Sequence, residues 1–179
     1  IGTIAFVDVG QGDAIFVQLP FHQGNYLLDT GGRLDFEVAD WQKRSDKRGA
    51  DYTLIPFMKS MGVGKLDGVF ISHAHEDHFG DLDRISDTIK VKTILFGSGS
   101  YDQVNFKRML AYNNLKKSKK QTVNYQNEWQ KNGLLLDCLY PLNKGDGQNN
   151  DSLVLKLKLK NQSILLMGDL ETEGENELM

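Results

Sequence analysis

Three of the chain's four histidines fall within six residues, in His73-Ala-His75-Glu-Asp77-His78. The run follows Leu66-Asp-Gly-Val-Phe-Ile71, which reads as a buried strand, so the imidazoles stand at a strand's carboxyl end. In an extended turn, His73 and His75 can present ring nitrogens to one ion. Asp77 and His78, at the mouth of a following helix, can reach a second. Imidazole with carboxylate suits zinc, manganese or iron, and the lack of a cysteine ligand removes the softest options. The alternative is a solvated histidine-rich turn. Shuffling this composition would give the pattern on the order of once in several thousand chains, so chance explains it poorly.

Other residues are less specific. Asp169, after Leu-Met167-Gly168, reads by itself as a strand-end turn acid, and Asp29, before Thr30-Gly31-Gly32, as an Asx turn. Asp8 and Asp13 flank the glycine turn Gly10-Gln11-Gly12, and His22 follows Pro20 as a surface histidine would. The one concentrated positive charge is Lys116, Lys117, Lys119 and Lys120. Such a run reads first as a solvated helix end, and second as a guide for a polyanion. Trp41 and Trp129 could stack bases but read first as loop anchors.

The elements that must position these residues are mixed. Strands are expected at 3–9 and 14–19 as a hairpin, then at 25–28, 66–71, 91–96, 133–140, 152–159 and 163–167. Helices are expected at 54–61, with Pro56 in the first turn and Gly62 ending it, at 79–88 and at 103–115. Residues 33–51 make the longest loop and 160–161 a turn. This order predicts α/β layers with mixed sheets. At 179 residues one domain is expected, and 40% hydrophobic against 25% charged residues exclude disorder. A net charge of −3 excludes a strongly basic nucleic-acid binder. The lone Cys138 excludes a disulfide framework and a cysteine-rich zinc ribbon. No stretch approaches the roughly 20 apolar residues that cross a bilayer.

The His-x-His-x-Asp-His pattern resembles the metallo-β-lactamase fold superfamily. Phe6-Val-Asp8-Val-Gly10-Gln-Gly12-Asp13-Ala14, Leu28-Asp29-Thr-Gly-Gly32, Leu54-Ile-Pro-Phe57, Leu66-Asp67, Asn149-Asn150-Asp151-Ser152 and Leu-Met-Gly168-Asp169 narrow the likeness. Together they resemble the hydrolase-like domain of ComEC-type DNA-internalisation competence proteins. The resemblance implies a metallo-β-lactamase-like αββα sandwich with mixed sheets. It implies two divalent ions, zinc or manganese: His73 and His75 on the first, Asp77 and His78 on the second, and Asp169 bridging them. Asp77 and His78 are the catalytic candidates. Asp29 would orient a ligand histidine, and Asp8 and Asp13 would line the rim of the site.

Two departures qualify the likeness. The superfamily usually supplies another first-metal histidine between the signature and the bridging aspartate, but no histidine follows His78. Asn149, Asn150 or Asp151, or water, must serve instead, which favours harder ions such as manganese or magnesium. The last second-metal histidine would lie beyond Met179. We therefore expect residues 1–179 to be one hydrolase domain truncated at its C-terminus, an excerpt of a longer membrane-embedded chain with partial or empty metal sites.

The expected activity is metal-dependent phosphodiester hydrolysis, degrading the DNA strand that is not imported during natural competence. The expected partners are single-stranded DNA and the transmembrane channel portion of the same chain. The expected place is the extracellular face of the cell membrane, with the cytoplasmic side left open. The alternatives are a small-ester hydrolase of phosphorylcholine esterase, thioesterase or lactonase type, or a non-catalytic channel module with a vestigial site.

Overall fold

The computed structural model describes residues 2–32, 48–131, 134–159 and 162–179. Strands β1 (Thr3–Phe6), β2 (Ile15–Gln18) and β3 (Asn25–Leu28) form an antiparallel meander. Two short helices follow, α1 (Gly49–Tyr52) and α2 (Leu54–Ser60), the second closing at Gly62 with φ +73°. Then come β4 (Lys65–Leu66), β5 (Gly68–Ile71), α3 (Glu76–Phe79), α4 (Leu82–Ser86), β6 (Lys90–Val91), β7 (Thr93–Gly97), α5 (Val104–Leu110) and β8 (Lys119–Val123). The chain ends with β9 (Glu128–Lys131), β10 (Leu134–Tyr140), β11 (Val154–Leu159), β12 (Gln162–Leu166) and α6 (Thr172–Leu178).

These strands make a six-stranded sheet in the order β1-β2-β3-β5-β7-β8 and a four-stranded sheet β12-β11-β10-β9, beside a two-stranded β4-β6 pair. The larger sheet is antiparallel through β3 and parallel from β3 to β8, while the smaller is antiparallel throughout. Period-2 alternation sorts the larger sheet's side chains between two cores. Phe16, Leu27, Val69, Ile71, Ile94 and Phe96 pack with α1–α5. Val17, Tyr26, Leu28, Phe70 and Leu95 pack with the inner face of the smaller sheet, including Leu134, Leu136, Leu155 and Leu157. Each such side chain contributes about 1.5–3 kcal/mol by leaving water. Helices, mixed sheet and second sheet are thus stacked as an α/β sandwich.

The structure departs from the sequence expectations in four places. The helix expected at 79–88 begins earlier, at Glu76, and breaks at Gly80-Asp81, where the Asp81 carboxylate accepts the Ala50 amide at 2.8 Å. The 33–51 loop ends in helix, since residues 49–51 belong to α1; the stretch 33–47, with Trp41, and the turn 160–161 lie outside the described residues. The lysine run is not a helix end: α5 stops at Leu110, and Lys119 and Lys120 open β8. Pairing to β7 overrides the local charge pattern, and lysines on an exposed edge strand deter edge-to-edge association. Trp129 is a strand residue rather than a loop anchor, edge-on to Tyr26 at 5.0 Å and Phe70 at 5.9 Å.

Candidate metal centre

The parallel strands β5 and β7 end on the same side, and the loop leaving β5 carries the histidines. Ser72 and His73 continue the strand inward, and His75 holds extended backbone where α3 begins, its carbonyl accepting the His78 amide at 3.0 Å. The opposite wall comes from the smaller sheet, whose loop before β11 is stitched to the histidine loop at both ends. Ala74 N–H donates to the Gly147 carbonyl, and Leu153 N–H to that of Ser72, each at 2.9 Å. Asp169 enters on the turn after β12, where Gly168 takes φ +54°.

Two glycines let the flanking loops close on this centre. A Cβ on Gly12 would stand 1.7 Å from the Asp77 carbonyl oxygen, and one on Gly32 2.0 Å from that of Glu76. Both contacts are far inside van der Waals distance, so the hairpin turn and the turn after β3 lie against α3 only because no side chain intervenes.

His73 and His78 are buried, and their ring nitrogens lie with a carboxylate oxygen of the more exposed Asp169 inside a cluster 4.8 Å across. His78 Nε2 is 3.2 Å from Asp169 Oδ2 and 4.0 Å from Asp77 Oδ1. Its Nδ1 meets Asp29 Oδ2 at 2.9 Å, while Asp29 Oδ1 accepts the Ser72 amide at 2.7 Å. Asp29 is thereby locked at φ +54°, uncommon for a residue with a side chain. His75 is turned differently. Its ring lies edge-on to His73 at 4.6 Å, but its Nε2 meets Gln148 Oε1 at 2.6 Å.

Burial lowers the affinity of both inner rings for a proton, and their neighbours then separate them. His73, buried and beside the other two imidazoles, falls to about 3 and is neutral at ordinary pH. For His78 burial is outweighed by the hydrogen bond and charge of Asp29, with help from Asp169 and Asp77, and its pKa rises to about 9. Burial also raises Asp29. We place the shared proton on His78, because the other Asp29 oxygen already accepts an N–H.

The remaining expected residues are distributed as follows. Asp13 is exposed but brings a carboxylate oxygen within 4.8 Å of Asp29 and His78. Asp8 is exposed and accepts the Gly10 amide at 2.9 Å, a turn cap. Asn150 caps the entry to α6, its Oδ1 accepting from Glu171 N at 3.2 Å and Gly174 N at 3.4 Å. Asp151 folds onto its own loop, accepting the Gly147 amide at 2.5 Å. Lys116, Lys117, Lys119 and Lys120 are not brought to the centre: Lys119 pairs with Thr93, the first residue of β7, at the end of the parallel sheet opposite the histidines. Sequence reasoning gave no role to Ser72, Ser152 or Gln148, although the two serine hydroxyls lie 3.0 and 3.3 Å from His73 Nδ1. A serine beside a histidine carries no periodic or spacing signal that would mark it.

The metallo-beta-lactamase superfamily description matches residues 7–179. The chain belongs to that superfamily. It is 31% identical over 184 aligned residues to ComE operon protein 3 of Bacillus subtilis (strain 168), covering 99% of this chain and 23% of that protein. It is 26% identical over 173 residues to competence protein ComA of Neisseria gonorrhoeae, covering 96% of this chain and 20% of the relative. The chain thus spans a quarter or less of these curated relatives. Among solved structures, a metallo-beta-lactamase of Cronobacter sakazakii superposes with TM-score 0.64 at 14% identity over 96% of this chain and 57% of that one. The metallo-beta-lactamase fold protein YhfI of Bacillus subtilis gives 0.58 at 12% identity over 88% and 55%. The ComEC-type likeness read from the sequence therefore stands, and so does the fold.

Superfamily membership implies divalent-metal binding and metal-dependent hydrolysis, and the donors of this metallo-beta-lactamase centre fit such an ion. His73 is fully buried and its ring is neutral at ordinary pH, so one of its two nitrogens keeps a lone pair that a cation can take. Beside it opens a groove of about 590 Å³, lined by His75, Glu76, Asp77, Gln103, Asn105 and Gln148 among others. No helix among the described residues is long and apolar enough to cross a membrane.

Proposed function

We propose that this chain is the hydrolase portion of a longer, membrane-embedded DNA-uptake protein and cleaves phosphodiesters of single-stranded DNA. The observation that carries the reading is the buried, neutral His73 ring, with a nitrogen within 4.8 Å of donor atoms of both His78 and Asp169. His73, His78 and Asp169, with Asp77 and His75 at the groove side, would hold two divalent ions, zinc or manganese. Such ions lower the pKa of water toward neutrality and stabilise charge on a phosphoryl oxygen.

The protein's own groups do the rest. Asp29 fixes the His78 ring by accepting at Nδ1 and so aims Nε2 inward. Asp77, half-buried at the groove floor, is placed to take a proton from the attacking water at its carboxylate. Gln103, Asn105 and Gln148 offer amides to the sugar, base edges or phosphate of a substrate strand. The larger protein would set this domain on the extracellular face of the membrane, next to its channel.

One observation favours a second reading. Among the described residues the groove lining includes Glu76 and Asp77 but no lysine or arginine, which suits a small neutral ester as well as a polyanion. Assaying the metal-loaded full-length protein on single-stranded DNA, a chromogenic phosphodiester, a thioester and a lactone separates the two. The nuclease reading expects DNA cleavage that His73→Ala and Asp169→Ala abolish. Cleavage of the carboxylic substrates alone makes the chain a small-ester hydrolase, and DNA cleavage undiminished in both variants refutes the assignment of the site.

A further inference from the structure

We infer that Tyr101 and Lys107 form a platform for the substrate strand at the rim of the groove, Tyr101 stacking on a nucleobase and Lys107 meeting a backbone phosphate. The inference rests on the single-stranded DNA reading above and names the groups that would make the site prefer a strand to a small ester.

Tyr101 sits in a single 3-10 turn, Ser100–Asp102, on the connection from β7 to α5. That connection leaves the carboxyl end of the parallel sheet, the side to which β5 delivers the histidines. The Tyr101 ring stacks at 6.0 Å on buried Phe96, yet the residue is 50% exposed. A ring held against the core and still open to solvent is pre-organised for a second stacking partner, at little cost in side-chain ordering. Its backbone is equally fixed. A Cβ on Gly99 would stand 2.7 Å from the Gly147 nitrogen, and Gln103 Nε2 donates to the Asp146 carbonyl at 2.6 Å. Lys107 Nζ lies over the Tyr101 ring, 5.2 Å from its centroid, in a cation–π contact. The residues between the two reach the groove. Gln103, Val104 and Asn105 line it, and Lys107 follows Val104 at i+3, on the same face of α5.

The surroundings favour a nucleic-acid strand. Every base has a π-face, so stacking tolerates any sequence, and a cation beside the ring meets the phosphate that accompanies each base. Asp102, which would repel that phosphate, is paired with Lys144 at 2.5 Å. A protein partner would need a broad apolar face, but Val104, 61% exposed, has Asp102, Gln103, Asn105 and Lys107 for neighbours in the chain. A small ester needs neither Tyr101 nor Lys107, since both lie outside the lining of the groove that holds Asp77. The lysines expected to guide a polyanion stand at the far end of the parallel sheet, whereas Lys107 shares a helix face with the groove wall.

The test is binding of a fluorescein-labelled single-stranded oligothymidylate to the full-length protein in EDTA, read by fluorescence anisotropy across a range of salt concentrations. Cleavage of the same strand and of a chromogenic phosphodiester by the metal-loaded protein accompanies it. Tyr101→Ala should weaken binding by about 10-fold or more with its salt dependence unchanged, and Tyr101→Phe, which keeps the ring, should stay within a few-fold of wild type. Lys107→Gln should lower the slope of log affinity against log salt by about 0.7, the loss of one single-strand phosphate contact. In the loaded protein, Tyr101→Ala should lower the ratio of kcat/KM on DNA to that on the chromogenic phosphodiester by about 10-fold, a ratio that a merely structural tyrosine would not move. Circular dichroism checks folding, and Lys107→Gln, at an exposed position, carries the test if Tyr101→Ala unfolds. Wild-type affinity in Tyr101→Ala and a wild-type salt slope in Lys107→Gln, while the loaded wild type cleaves the strand, overturn the inference and leave the nuclease reading intact. Wild-type protein that neither binds nor cleaves the strand overturns both.

Discussion

The two sheets contribute to the centre in different ways. The larger sheet supplies its groups from one continuous run, Ser72 to His78, at the carboxyl end of a parallel strand buried on both faces. The smaller sheet brings Asp169 to the cluster on the turn after β12, and its loop before β11, with Asn149, lies against the histidine run, each next to a strand whose outer face is partly open. A parallel strand flanked by helices and sheet has little freedom, so residues just past its end are aimed by the fold itself. Turns on the antiparallel side must be aimed by specific bonds, here those to Ser72, Ala74 and Glu171. The larger sheet provides position, and the smaller one closes the site.

The sharpest way to break that division is to remove one group from each side. His73→Ala and Asp169→Ala should each lower hydrolytic turnover by about 10³-fold or more, the scale of losing a group that acts directly on the reacting charge. Their structural effects should differ. Asp169 is the more exposed and shares the His78 ring with Asp29, so its loss should lower the melting temperature less than the loss of His73. His73 is fully buried, so in metal-free protein its replacement should leave a cavity and lower the melting temperature. Matched activity losses with unmatched melting curves would support the contrast; equal destabilisation by both would remove it.

A smaller effect probes how the larger sheet's loops are held. Gly32→Ala forces a Cβ to within 2.0 Å of the Glu76 carbonyl and 2.9 Å of Gly80 Cα, both backbone atoms that cannot swing aside. Overpacking of this kind costs about 1–3 kcal/mol. For a chain of this size that lowers the melting temperature by about 2–4 °C per kcal/mol. Gly64→Ala meets nothing within 4 Å and serves as the control that should stay near wild type. Thermal melts of the two variants side by side decide whether close backbone contact around α3 is required.

The same contrast governs what the sequence made legible. The hairpin, the β5 strand and the histidine run were readable because each is local: alternation, a buried apolar run, or a motif of fixed spacing. Strand β8 was hidden, since its lysines look like a helix end and only pairing with β7 makes them a strand. Strand β9 was hidden because its one strong signal, Trp129, is isolated among polar residues. Around the site, Asn149, Asn150 and Asp151 were indistinguishable as types. Hydrogen bonds to residues 22 and 21 positions away commit the first to Glu171 and the second to α6. Gly12 and Gly32 were visible as turn residues, but their close approach to α3 is a tertiary fact.

The smallest expected effect concerns protons and separates the two inner rings within the larger sheet's own run. His78 has its folded pKa raised from 6.5 to about 9, so its contribution to stability is fully present below about 6.5 and is lost as pH rises through about 9. His73 has its folded pKa lowered to about 3, so the unfolded chain binds a proton there first and stability is lost as pH falls from 6.5 toward 3. Metal-free protein should therefore be most stable near neutrality, with the alkaline loss traced to His78 and the acid loss partly to His73. Asp29→Asn removes the charge that holds the His78 proton, so the difference in melting temperature between wild type and this variant should be largest below pH 6.5 and shrink towards pH 10. A constant difference across that range would mean that Asp29 acts only by fixing the geometry of Ser72 and His78. A difference that fades with rising pH would show that the larger sheet's carboxylate, bonded at Nδ1, also stabilises the positive charge of the His78 ring, whose Nε2 proton a metal ion would have to displace.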